Sequence, residues 1–145
     1  MKQIALVLAL LGLCACSKTA DFHTIDGKPG SYQDFQGKWL AINYWADWCK
    51  PCIKEIPELN ALNQKNNIQV VGIHYDRPAA DVQLQHAQQL HIEFPVLLAS
   101  PDQHYGFAYP NVLPTTAIIS PQGKLVKLLF GPQTVESIEA EIQQK

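Results

Sequence analysis

The chain has 145 residues, a formal net charge of -2, 47% hydrophobic residues and 17% charged residues. This length supports a single domain. The charged fraction is below the roughly 25% of an average globular protein while the apolar content is ordinary, which argues against intrinsic disorder and against a basic nucleic-acid surface. We therefore expect one globular domain that does not bind nucleic acid.

The amino terminus has the pattern of a secretory signal peptide. Lys2 is followed by ten uncharged, mainly aliphatic residues, Ile4–Leu13. A membrane-spanning helix needs about 20 apolar residues, and this run breaks at Ser17, so a transmembrane anchor is the weaker interpretation. We predict that residues 1–15 are a signal peptide that is removed.

The end of this segment, Leu13-Cys14-Ala15-Cys16, resembles the lipobox of bacterial lipoproteins. The resemblance implies that Cys16 is the first mature residue and carries a diacylglycerol and an acylated amino terminus. At about 0.8 kcal/mol per buried methylene, three acyl chains anchor a protein firmly. An ordinary signal peptide with two incidental cysteines is the alternative. The same resemblance associates an aspartate after the acylated cysteine with retention in the inner membrane; Ser17 stands there, which favours the outer membrane.

The mature chain begins with a short polar segment. Residues 16–21 are expected to be the lipidated cysteine and a tether, and residues 22–145 the domain. If Cys16 is acylated, the remaining thiols are Cys49 and Cys52. An exported protein resides where disulfides form and persist, so this pair becomes the main candidate for chemistry.

Hydrophobic patterning predicts alternating strands and helices. A buried strand is expected at Trp39–Trp45, interrupted by the polar Asn43. A helix should begin at Cys49, because the proline two residues later is tolerated in a first turn, and Pro57 should kink it. Apolar residues then follow at helical spacing: Ile53, Ile56, Leu59 and Leu62.

The rest of the chain continues this alternation. A second strand is expected at Gln69–Tyr75, then a helix that Asp81 could cap, then an apolar run at Val96–Leu98. Two hairpin strands and a helix with one apolar stripe close the domain. The hairpin strands are Thr115–Ile119 and Leu125–Phe130, and the stripe is Val135, Ile138 and Ile142.

Cys49 and Cys52 form a C-x-x-C pattern between a strand and a helix, the context that a redox motif requires. Unpaired N–H groups at the helix start, together with the cation of Lys50, favour a thiolate at Cys49. Such surroundings lower a thiol pKa from about 8.5 to roughly 3.5–7.5. Cys49 is thus the candidate nucleophile, and Cys52, one turn deeper, the resolving cysteine.

Other uses of the two cysteines have less support. A permanent disulfide closing so short a loop adds little stability. A zinc site needs about four ligands, and the mature chain has no second cysteine pair or closed histidine motif. We expect Asp47 to be a solvated charge, and no metal or cofactor is assigned. A copper chaperone using both thiols and a distal histidine remains open. The histidines expected to be solvent-facing or satisfied locally are His74, His86, His91 and His104.

The segment INYWADWCKPC, residues 42–52, resembles the active site of the thioredoxin superfamily. Glu55, Pro57 and the later Leu113-Pro114-Thr115-Thr116 resemble the TlpA/ResA-type branch of exported, membrane-tethered thiol oxidoreductases. The resemblance implies an α/β thioredoxin fold, with a mixed central sheet flanked by helices and a central strand-helix insertion. It also implies that Pro114 is a cis-proline facing the cysteines, and that Trp48, Leu113 and Pro114 contact substrate.

The same resemblance assigns a role to Glu55. Asn43 stands where thioredoxins proper have a buried acid, whereas TlpA/ResA-type members have the acid at the position of Glu55, three residues after Cys52. We predict that Glu55 transfers a proton to or from Cys52. The alternative is a solvated glutamate paired with Lys54 or Lys65, and Glu58 is equally available in the sequence.

These observations predict a periplasmic, lipid-anchored thiol:disulfide oxidoreductase acting on disulfide-containing exported proteins. Reduction of its partners would need a membrane dithiol electron donor, and the sequence does not fix the direction. A peroxidase is excluded because no cysteine lies between Cys16 and Cys49. A copper chaperone or a non-catalytic thiol-binding lipoprotein is the alternative.

Overall fold

The computed structural model describes residues 19–143. The expected signal peptide and Cys16 lie outside these residues. The elements, in chain order, are β1 (Phe22–His23), β2 (Pro29–Gly30), a 3-10 turn (Tyr32–Phe35), β3 (Trp39–Trp45), α1 (Lys50–Asn63), β4 (Ile68–His74), α2 (Ala80–Gln89), β5 (Val96–Leu97), α3 (Asp102–Tyr105), β6 (Thr115–Ile119), β7 (Leu125–Phe130) and α4 (Val135–Gln143).

A five-stranded mixed sheet organises the domain, with the strand order β5-β4-β3-β6-β7. The central strand β3 is parallel to β4 and antiparallel to β6. β6 and β7 form the expected hairpin, and β4 continues in parallel to β5. Helices pack against this sheet, so the predicted α/β architecture is confirmed.

Both faces of β3 are buried, which explains why its sequence is apolar without alternation. Leu40, Ile42 and Tyr44 enter one core. Ala41 faces a second core, to which α1 and α4 contribute Leu59 and Ile138. Because both cores meet at β3, the segment that follows this strand is attached to a rigid part of the domain.

The hairpin of β1 and β2 was not predicted, since each strand has two residues. It lies against β5 at one edge of the sheet. Thr24 bridges to Leu97, the N–H of Ile25 donates to the Val96 carbonyl at 2.9 Å, and the N–H of Leu98 donates to the His23 carbonyl at 2.9 Å. The hairpin therefore covers the β5 edge.

The structure corrects two expectations about local structure. Asp81 does not cap α2, because the helix begins at Ala80 and its N-cap is Ala79. Asp81 lies in the first turn instead, where its charge suits the positive helix end. Asp21, which we assigned to the tether, is held by the domain: its N–H donates to the Gly30 carbonyl, and its carboxylate accepts the N–H of Tyr32, both at 2.9 Å.

Between residues 19 and 143, no helix has the length and apolarity required to cross a membrane.

Candidate active site

Cys49 and Cys52 form a disulfide at the start of α1, with their Cα atoms 5.3 Å apart. Cys49 is the N-cap of the helix, and its sulfur accepts the backbone N–H of Cys52 at 3.3 Å. Pro51 lies in the first turn, where its missing N–H leaves no helical bond unmade. A thiolate at Cys49 would therefore face the positive end of α1.

The two sulfur-bearing residues differ in access to solvent. Cys52 is fully buried, and Cys49 retains 5% exposure. A groove of about 450 Å³ runs past Cys49, lined by Trp48, Cys49, Lys50, Pro51, Tyr75, Asn111 and Leu113. Trp48 and Leu113, two of the predicted substrate contacts, thus lie on the groove at Cys49.

The walls of this groove are held from several elements. The Trp48 indole is 60% exposed, and its N–H donates to the Asp76 carboxylate at 2.6 Å. The peptide bond between Leu113 and Pro114 is cis, directly before β6. The Pro114 carbonyl accepts the N–H of Gly131 at 2.9 Å, which ties this loop to the end of β7.

Glu55, which follows Cys52 by three residues in α1, is buried with 2% exposure. One carboxylate oxygen accepts the Asn43 amide at 2.7 Å, and the other accepts the backbone N–H of Gln133 at 2.8 Å. Burial raises the pKa of Glu55 to about 7, although both hydrogen bonds act in the opposite direction. Since Glu55 follows Cys52 by three residues, the two share one face of α1.

The neighbouring charged groups have other partners. Lys65 pairs with Glu139 at 2.6 Å. Glu58, which the sequence left as an equal candidate, is only partly buried and accepts the N–H of Val135 at 3.1 Å, at the start of α4. A solvated glutamate paired with a lysine therefore does not describe Glu55.

Asn43, the polar residue of β3, is the link between Glu55 and the sheet. Its amide nitrogen also donates to the Thr116 hydroxyl of β6 at 3.0 Å. Its carbonyl oxygen has no hydrogen-bond partner within residues 19–143. The amide can therefore present either a donor or an acceptor to Glu55 after rotation.

Sequence reasoning missed a second polar cluster, formed by Asp47, His74 and His86. His74 was expected to face solvent or be satisfied locally, but it is 1% exposed. It ends β4 and packs against the Trp45 ring, with centroids 4.7 Å apart. Asp47 is not simply a solvated charge, because its carboxylate faces both imidazoles. The available signal was topological: Asp47 follows β3 and His74 ends the parallel β4, so both lie at one edge of the sheet.

A model of the AhpC/TSA family matches residues 14–128 of this chain. The chain belongs to this family.

Relatives place this AhpC/TSA-family chain among the thiol-disulfide oxidoreductases, and solved structures share its fold. Thiol-disulfide oxidoreductase ResA of Geobacillus thermodenitrificans is 30% identical over 122 residues, which are 82% of this chain and 70% of the relative. The structure of StoA from Bacillus subtilis has a TM-score of 0.66 at 21% identity, covering 83% of this chain and 93% of that one. A DsbF homologue from Corynebacterium diphtheriae has a TM-score of 0.73 at 19% identity, covering 86% of this chain and 82% of that one.

These similarities confirm two predictions. The chain has a thioredoxin fold, and it is a thiol:disulfide oxidoreductase of the ResA type. In this AhpC/TSA-family protein, Cys49 and Cys52 form a disulfide-bonded C-x-x-C motif at the start of α1.

Proposed function

We propose that the protein is a membrane-anchored periplasmic oxidoreductase that reduces disulfides in exported proteins. The observation that carries this proposal is the Cys49–Cys52 disulfide at the amino end of α1, with Cys49 opening on a groove and Cys52 buried. A reactive thiol that meets solvent and a covered thiol behind it are the two parts that thiol-disulfide exchange requires.

The first step uses the reduced protein. The Cys49 thiolate attacks one sulfur of a substrate disulfide, forms a mixed disulfide and releases the other substrate sulfur as a thiolate. The backbone N–H of Cys52 and the positive end of α1 stabilise the Cys49 thiolate before attack. The thiolate is the form of a cysteine that attacks a disulfide, so these contacts favour the reactive form of Cys49.

The second step uses Cys52 and Glu55. Glu55 accepts the Cys52 proton, and the Cys52 thiolate attacks the Cys49 sulfur, releasing the second substrate sulfur. The substrate gains two electrons, and the protein is left as its disulfide. A carboxyl with a pKa of about 7 is suited to this transfer, because it is neither fully protonated nor fully ionised near pH 7.

Substrate binding is assigned to the groove beside Cys49. The exposed Trp48 indole offers apolar contact on one side. The backbone next to the cis bond of Leu113 and Pro114 offers hydrogen-bonding groups to an extended peptide on the other. These contacts fit disulfide-containing proteins that present an unfolded or extended segment.

The cellular setting follows from the amino-terminal sequence. Cys16 would carry the lipid, and outer-membrane placement is favoured by the serine that follows it. Continued reduction needs electrons from a membrane dithiol carrier. Because Asp21 is already bound to the domain, four residues separate it from Cys16, a reach of about 10–12 Å. A donor embedded in the opposite membrane could not be met directly.

A trapping experiment tests the proposal. The Cys52→Ala variant retains the nucleophile without its resolving partner, so it should accumulate mixed disulfides with exported proteins in cells. The matched control, Cys49→Ser, should form none and should also abolish reduction of a model disulfide by the purified protein. Absence of adducts in Cys52→Ala, or undiminished reduction by Cys49→Ser, would contradict the mechanism.

A further inference from the structure

The cluster of Asp47, His74 and His86 brings three ligand atoms from three elements to one place. His74 Nε2 lies 3.1 Å from His86 Nδ1. The same oxygen of Asp47 lies 3.5 Å from His74 Nε2 and 3.4 Å from His86 Nδ1. The three atoms thus form a nearly equilateral triangle.

The triangle has the dimensions of one face of a tetrahedral metal site. With Zn–N distances of about 2.0–2.1 Å and Zn–O distances of about 2.0–2.2 Å, tetrahedral ligand atoms lie about 3.3–3.5 Å apart. The separations of 3.1, 3.4 and 3.5 Å lie close to that range. By contrast, both contacts to Asp47 exceed the 3.2 Å upper limit of ordinary N–H···O hydrogen bonds.

The surroundings favour a bound cation. His74 is 1% exposed, and an imidazole nitrogen is the commonest protein ligand of transition-metal ions. His74 Nδ1 has no hydrogen-bond partner in the described part of the chain. The other ring nitrogen of His74, Nε2, faces both His86 Nδ1 and a carboxylate oxygen of Asp47. A single imidazole proton cannot make a good hydrogen bond to both of these atoms.

We propose that Asp47, His74 and His86 form a binding site for a divalent transition-metal ion of the Zn²⁺ type. Three protein ligands leave the fourth tetrahedral position open, as in catalytic zinc sites. The side chains of Asp47 and His86 are 40% and 23% exposed, so the ion enters from their side. A bound ion would join the segment two residues before Cys49 to β4 and α2.

The site should bind with moderate affinity. Ligating imidazoles usually donate their second N–H to a neighbouring group, and loss of that bond weakens metal binding by about 10–100-fold. His74 Nδ1 has no such partner among residues 19–143. Reversible exchange with free metal is therefore expected.

The test is a Zn²⁺ titration of the untagged full-length protein with the Cys49–Cys52 disulfide formed and other thiols alkylated. Oxidation and alkylation matter because thiolates, the competing ligands, are then absent. We expect one saturable site, followed by calorimetry or by competition with a chromogenic chelator. Because no thiol chemistry takes part, the outcome is independent of the proposed reductase activity.

Two variants and one control locate the site. His86→Ala and Asp47→Asn each remove one ligand without emptying a fully buried position, and each should weaken Zn²⁺ binding by at least about tenfold. His23→Ala removes an exposed imidazole outside the cluster and should leave binding unchanged. Co²⁺ should give the intense visible absorption of tetrahedral coordination in the wild type and lose it in both variants. The proposal is overturned if the wild type does not bind Zn²⁺ saturably, or if both variants bind Zn²⁺ as tightly as the wild type does.

Discussion

Folding moves the pKa of the Glu55 carboxyl into the neutral range. Its pKa is 4.5 in the unfolded chain and about 7 in the folded domain, because burial disfavours the carboxylate. Between these values the folded state binds more protons than the unfolded state, so stability falls as pH rises. The contribution of Glu55 is fully present below about pH 4.5 and is lost above about pH 7.

Glu55→Gln should remove this pH dependence. The shift corresponds to about 3 kcal/mol, so the variant should gain stability relative to the wild type from pH 5 to pH 8 by up to that amount. Asn43 can rotate to accept the new amide, since its carbonyl oxygen has no partner among residues 19–143. Urea unfolding at a series of pH values measures the difference.

The control for that experiment is Glu58→Gln, the same change one turn further along α1, where Glu58 is only partly buried. Its stability should follow the wild-type pH profile. The Glu55→Gln variant should also resolve mixed disulfides more slowly, with a flattened pH-rate profile. An unchanged pH-rate profile would remove Glu55 from the proton transfer.

Lys50 adjoins the nucleophile and should raise the reduction potential by stabilising the thiolate. One unit of thiol pKa corresponds to about 30 mV for a two-electron couple. We expect a midpoint of roughly -240 to -180 mV in the wild type, and a value lower by up to about 30 mV in Lys50→Gln. Equilibration with glutathione buffers and thiol alkylation measure both midpoints.

Lys54→Gln is the control, because Lys54 is also exposed and lies one turn further along α1. It should shift the midpoint less than Lys50→Gln does. Equal shifts in the two variants would refute a local effect of Lys50.

At the scale of elements, α4 connects the end of the chain to the active-site helix. Gln133, two residues before α4, donates its backbone N–H to Glu55 of α1, and Val135, the first residue of α4, donates its backbone N–H to Glu58. The apolar stripe of α4 enters the core through Ile138, which is fully buried. The closing helix therefore stabilises the buried acid as well as the sheet.

Ile138→Ala tests this docking. Truncation of a fully buried isoleucine should lower the free energy of unfolding by about 2–5 kcal/mol. Ile142→Ala, one turn later in α4 and only partly buried, should lower it less. Thermal or denaturant unfolding gives both values. A similar loss for the two variants would mean that α4 is held by something other than Ile138.

The elements that could be predicted from the sequence are those that a local sequence pattern determines. β3, β6 and β7 have the predicted residues because their apolar runs are bounded by turn formers. β1 and β2 have two residues each and are held by contacts with β5, which no local pattern reveals.

The residues of the candidate site likewise include some that a local motif reveals and some that only the fold brings together. Cys49 and Cys52 form a local motif that could be found by spacing alone. The bond between Glu55 and Gln133 spans 78 residues, and the meeting of His74 with Asp47 depends on the parallel pairing of β3 and β4. Such neighbours require the sheet topology before they can be seen.

For the molecule as a whole, the expected anchor at Cys16 determines where the groove can act. Cys16→Ala should abolish metabolic labelling with fatty acids and release the protein from the membrane fraction. Cys14→Ala changes the other cysteine of the same segment and should leave labelling intact. Persistent labelling of Cys16→Ala would disprove lipidation at this residue.

The hairpin of β1 and β2 has a consequence for the behaviour of truncated forms. Its backbone groups occupy positions along β5 that would otherwise be open, and an open strand edge is a template for pairing with other molecules. A chain shortened to begin at the 3-10 turn would keep Cys49 and the groove while exposing that edge. Such a form should self-associate, so a proteolytic cut before Asp21 should be harmless, whereas a cut after Gly30 should promote aggregation.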